Sequence, residues 1–334
     1  MRVILALSLI SLALNLSQVD AFASIEQFKS WYPQYGFIFR HLLQNDCAKQ
    51  YDNYLTRDKK DAKIDYMGGA DWWSALTQPV VQCLLNGSGE FVKSQMSSAQ
   101  VLLGVAPTTL ALIGPSAEEM STLLIVGRRP LLYLILTCGS PSVFFTRAFQ
   151  YTNPAELLSD HRFRLRQHHP TGILRRGVTL LEYVLALGAM ANAIDVHSDL
   201  GLRTICPVLP DWTVAPLLWG GLGAVVHLGW LKRLAASEFT MCAHHENLHY
   251  SVRRETKKYI IFSWLLSMVT MVHIVFGTLV LSSLLFIGPR DALSVVGRYM
   301  ASVVLCRVIL MYELSGLRDA YKTSFVIRRG GYLT

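Results

Sequence analysis

The sequence predicts an all-α protein: a polytopic transmembrane helix bundle of about five spans with a small extracytoplasmic N-terminal segment. Three observations predict it. Hydrophobic residues fill 52% of the 334 positions and charged residues only 16%, with a mean hydropathy of +0.34, whereas a soluble domain carries about 25% charged residues. The apolar residues gather into runs of membrane length. The net charge of +8 comes mostly from Lys and Arg between those runs, where it sets topology. No nucleic-acid motif is present, so the expected partners are the lipid bilayer and other membrane proteins.

Residues 1–23 read as a signal peptide: one early positive charge, an apolar core from Val3 to Leu16, and Ala21-Phe22-Ala23 as the cleavage site. Cleavage would start the mature chain outside the cytosol, so 24–97 reads as an extracytoplasmic segment. Cys47 and Cys83 are candidates there for a disulfide, which that compartment would preserve. Asn86-Gly87-Ser88 is a usable N-glycosylation sequon.

The first span is expected within 98–127, interrupted at Pro107 and broken at Gly114-Pro115. Ser116-Ala117-Glu118-Glu119 then reads as a capping box that starts a second helical piece. Residues 128–176 read as cytosolic or interfacial. The run 130–145 is short and contains Gly139 and Pro141, and crossing the bilayer there would place the six arginines between 146 and 176 on the wrong side. Within that loop Asn153-Pro154-Ala155-Glu156 is a helix start, and the helix stops at His168-His169-Pro170.

Four further spans are expected within 177–314: 177–196, 213–231, 259–287 and 292–314. A cytosolic tail covers 315–334. The basic residues Lys232, Arg233, Arg253, Arg254, Lys257 and Lys258 share one cytosolic loop, whereas the lumenal loop 197–212 has only Arg203. The carboxyl terminus is therefore cytosolic and the amino terminus extracytoplasmic, in the secretory pathway or plasma membrane. No internal repeat marks a transporter.

Ionisable residues inside spans are expensive and are the first candidates for function. Glu182, His227 and Arg307 fall at similar depths from the cytosolic side, with Glu182 and Arg307 as the natural ion pair. Such a pair can equally serve to fix which helices pack together. His273 lies near the middle of the longest span and reads as a neutral imidazole bonded to a neighbouring helix. Arg298 can reach Asp195 or Asp291 near the opposite interface.

One stretch carries the letters of a chemistry. His245-Glu246-Asn247-Leu248-His249 has the spacing of a zinc-hydrolase helix, with two imidazoles one turn apart and a glutamate to activate water. This arrangement resembles the multi-pass zinc proteases of the prenyl-protein endopeptidase type. The resemblance implies His245, His249 and Glu313 as metal ligands and Glu246 as the base. The segment nonetheless sits in a basic, hydrated loop, and "YELSGLRDAY" matches the third-ligand region of those proteases poorly. Zinc is therefore expected only under that alternative, and otherwise no cofactor. A second resemblance is broader. "SSAQVLLGVAPTTLALIGPSAEEM" and the stretch from His273 to Tyr321 look like segments of an uncharacterised family of multi-pass membrane proteins of filamentous fungi. It implies a membrane location and no reaction. The expected role is non-enzymatic, as a membrane scaffold or accessory protein. A zinc metalloprotease is the alternative and a small-solute transporter the third reading.

Overall fold

The computed structural model describes residues 27–56, 77–125, 127–144, 172–210, 212–236, 240–244, 247–251 and 257–330. The signal peptide, the helix start at Asn153, the His168-His169-Pro170 stop and the pair His245-Glu246 lie outside the described residues.

Ten helices and one hairpin make up the described chain. In order they are α1 (Gly36–Gln44), α2 (Ala48–Thr56), α3 (Thr77–Gly87), α4 (Glu90–Ile113), α5 (Ala117–Ile125) and α6 (Pro130–Gly139), then α7 (Ile173–Arg203) and α8 (Ala215–Ala236). The strands β1 (Thr240–His244) and β2 (Asn247–Ser251) follow, and α9 (Lys257–Ser282) and α10 (Pro289–Gly330) complete the chain. Among the described residues four helical stretches are long and apolar enough to cross a membrane: Glu90–Ile113, Arg176–Arg203, Trp264–Ser282 and Pro289–Arg318. These suit an integral membrane protein. Large apolar side chains on them stand exposed, including Val101, Leu112, Leu180, Val184, Val272, Val275 and Val308. A water-soluble fold would not present such a set on its longest helices.

Five spans were expected, and the region 213–231 is helical within α8, with Ala215–Gly229 as its apolar stretch among the described residues. Two helices run beyond the limits expected for their spans. α4 begins at Glu90, inside the segment assigned to the extracytoplasmic side, and continues through Pro107. A proline inside a membrane helix need not end it, because neighbouring groups can satisfy the carbonyl it leaves unbonded. α10 likewise runs on as a helix through the expected tail to Gly330. By contrast, α6 has 10 residues, about 15 Å of helix, and cannot traverse a hydrocarbon layer of about 30 Å.

The chain forms two compact units. One comprises Met1–Pro107, Asp195–Gly221 and Phe276–Arg298; the other Thr108–Ile194, Leu222–Val275 and Tyr299–Thr334. The first is built around an aromatic core. Phe28, Trp31, Phe39, Tyr54 and Phe286 are buried with Leu42, Leu84, Val92 and Met96. Phe286 adopts φ 66°, a left-handed conformation that a side chain normally avoids. Its ring lies edge-on to Phe39 at 5.0 Å and to Trp31 at 5.5 Å between centroids, and these contacts hold it there. Cys47 and Cys83 form a disulfide that ties the start of α2 to α3. Gln34 closes this unit by reciprocal bonds. Its amide N–H donates to Asp291 at 3.0 Å, and its side-chain oxygen accepts from Arg290 N–H at 2.9 Å, which satisfies an orphan donor of the first turn of α10.

The second unit has a different interior. Met120, Leu123, Leu132, Tyr133, Leu136, Ala186, Ala189, Cys306, Ile309 and Leu310 form its main apolar cluster. Small residues let backbones approach: a Cβ on Gly139 would stand 2.8 Å from Cys306 Sγ and 3.3 Å from Met190 N. Asn192 donates to Ser302 at 2.7 Å, linking α7 to α10.

Candidate functional site

The second unit contains most of the charged and polar groups singled out in the sequence, and it pairs them in an unexpected way. The capping box forms as its letters require: Ser116 N–H donates to Glu119 Oε2 at 3.1 Å, and Glu119 N–H donates to Ser116 Oγ at 3.2 Å. Ala117 N–H donates to Phe144 O at 2.8 Å, which pins the start of α5 beside the chain leaving α6. Glu119 has a second role, because Arg307 Nη1 on α10 also donates to its Oε2.

Glu182 and Arg307 therefore do not pair with each other. Glu182 Oε2, on α7, accepts from Arg129 Nη1 at 2.8 Å, and Glu313 Oε1, on α10, accepts from the same nitrogen at 2.5 Å. Arg129 immediately precedes α6, whose first residue is Pro130. A depth comparison confined to span residues passes over it. The guanidinium thus gathers α7 and α10 onto the start of α6. Burial works against the Arg129 charge, but Glu313 and Glu182 outweigh burial and hold the guanidinium above its ordinary value.

His227 is also in this unit, 1% exposed, with neither ring nitrogen hydrogen-bonded among the described residues. It does not join the Arg129 cluster as a hydrogen-bonding partner. His273 Nε2 lies 3.1 Å from Pro141 O. A carbonyl only accepts, so Nε2 carries the hydrogen; the bond goes to the chain just past the end of α6 rather than to a helix, as had been expected.

The H-E-x-x-H segment is described only in part. His249 belongs to β2, opposite Cys242 in an antiparallel register that also pairs His244 with Asn247. His245 and Glu246 lie outside the described residues. Glu313, the expected third ligand, is engaged by Arg129. Among the described residues no three His, Cys, Asp or Glu side chains gather as a metal would require.

In the first unit, Arg298 reaches Asp195 at 2.5 Å and Asp199 at 3.5 Å, rather than Asp291. Asp199 also pairs with Arg203 one turn away at 3.2 Å. Asn86 is exposed near the end of α3, as a modified side chain must be.

Comparison with protein-family models, with curated proteins and with solved structures finds no match.

Proposed function

We propose that the protein is a non-enzymatic membrane scaffold or accessory protein of the secretory pathway or plasma membrane, with its amino terminus extracytoplasmic and its carboxyl terminus cytosolic. One observation carries the reading. The arginines and acids of the long helices are used to fasten one segment to another: Arg129 to Glu182 and Glu313, Arg307 to Glu119, and Arg298 to Asp195 and Asp199. Charges committed in this way define a fixed helix arrangement, the property a scaffold needs. A transporter would instead keep charges along a polar route through the bundle.

Native electrophoresis of mildly solubilised membranes tests the proposal. The tagged chain is expected well above its own 37.4 kDa, together with the same membrane proteins in repeated preparations. Migration alone, combined with solute uptake by liposomes holding only this chain, would overturn it in favour of transport. Stoichiometric zinc that is lost in His249→Ala, with peptide hydrolysis lost in Glu246→Gln, would establish the metalloprotease instead. Orientation is read separately from an endoglycosidase-sensitive mobility shift that disappears in Asn86→Gln.

A further inference from the structure

Arg307 pairs with one acid, and Arg298 and Arg203 share two. At Arg129 two acids meet one arginine. Glu182 and Glu313 bond the same nitrogen, Nη1, at 2.8 and 2.5 Å, and they also share a hydrogen bond with each other. A carboxylate oxygen only accepts, so a bond between two carboxyl groups needs a hydrogen on one of them. With one proton the cluster consists of a guanidinium, a carboxylate and a carboxylic acid, and its charge balances. Without it, two like charges would lie within about 5 Å of each other, where they repel. Water cannot screen them well, because Glu182 and Glu313 keep only 8% and 11% of their side-chain surface exposed.

The surroundings are specified by three helices of one unit. α7 brings the phenol of Tyr183 to Arg129, and α10 brings the phenol of Tyr312 to both acids and to Arg129. α5 contributes Glu119, which Arg307 occupies. Arg128, next to Arg129, is exposed. The side chain of Arg129 is itself 26% exposed, so the cluster meets the medium at the arginine while its acids stay inside.

We propose that Glu182 and Glu313 form a one-proton latch: with the proton, Arg129 holds α7 and α10 together at the start of α6, and loss of the proton as pH rises sets the two carboxylates against each other and loosens that junction. The latch goes beyond the scaffold reading and does not depend on it.

Infrared difference spectroscopy on the purified protein in detergent reads the proton directly. Near neutral pH, the spectrum of the parent minus that of Glu313→Gln should show a carboxylic-acid carbonyl band and no net loss of carboxylate absorption. Glu182→Gln should remove the same band, because the one acid left in either variant pairs with Arg129 as a carboxylate. If one variant does not fold, the other carries the test alone. In the parent, alkaline titration should convert the acid band into carboxylate absorption. Thermal unfolding gives the consequence. Glutamates of an unfolded chain ionise near about pH 4.3, so unfolding the parent releases the shared proton and rising pH favours the unfolded state. Relative to Glu313→Gln, the parent's folded-to-unfolded ratio should fall by up to about tenfold per pH unit for as long as the folded pair keeps its proton. A difference spectrum that shows lost carboxylate and no acid band would overturn the proposal, since both acids would then be ionised. Identical pH dependence of unfolding in the parent and Glu313→Gln would overturn it as well.

Discussion

Arg298 in the first unit and Arg129 in the second do the same job in opposite surroundings. Each holds two carboxylates. Asp195 and Asp199 keep 64% and 24% of their side-chain surface exposed, and Asp199 has a second partner in Arg203. Glu182 and Glu313 keep 8% and 11%. The number of bonds per arginine is the same, so burial and charge balance should decide what each bond is worth. An exposed pair gains little, because water competes for both partners. A buried pair contributes little beyond an apolar substitute, yet becomes costly once one partner is removed.

The largest effect should therefore follow Arg129→Met. Two carboxylates would be left facing each other in a buried setting, and about 3–5 kcal/mol of stability should be lost. The check is thermal unfolding in detergent, followed by tryptophan fluorescence. Adding Glu182→Gln and Glu313→Gln to Arg129→Met should restore most of the loss, because the penalty belongs to the orphaned charges. A triple variant as unstable as the single one would mean that Arg129 acts through packing instead.

The covalent tie of the first unit ranks next. The disulfide joins cysteines 36 positions apart, and a loop of that length gives about 2–5 kcal/mol. Cys47→Ser with Cys83→Ser should lower the protease resistance of residues 27–107. It should leave the reactivity of Cys138 and Cys306, in the second unit, unchanged. Reductant should reproduce the effect in the parent chain and add nothing in the double variant. If the thiols of both units become reactive together, the two do not unfold independently.

These features were legible in the sequence to different degrees, and the dividing line is locality. The capping box needs four adjacent residues, and both of its bonds form. The cysteine pair was legible because two cysteines fall within one short extracytoplasmic segment. Membrane helices announce themselves through length and hydropathy, which are properties of one continuous stretch of chain. Ion-pair partners are not local. Glu182 and Arg307 match in depth, yet each takes a different partner. Arg129 lies in a connection, and Glu119 already had a role as the cap. Depth along a helix says nothing about rotation around it, and pairing depends on rotation. The five letters at 245–249 depend on more than their order for a related reason, because a motif specifies chemistry only when its residues share a helix face. His249 lies on a strand.

The smallest effect closes the comparison. Arg298→Met removes two contacts, yet only about 0–1 kcal/mol should be lost. Asp195 is mostly exposed and recovers its hydration, while Asp199 keeps Arg203 at 3.2 Å. The methionine retains an apolar stem where the arginine's methylenes lay, so packing changes little. Measured beside Arg129→Met, this variant separates the two explanations for an arginine's importance. Equal losses would mean that the number of bonds governs. A difference of several kcal/mol would mean that burial governs, and would assign the larger dependence to the Glu182–Arg129–Glu313 cluster.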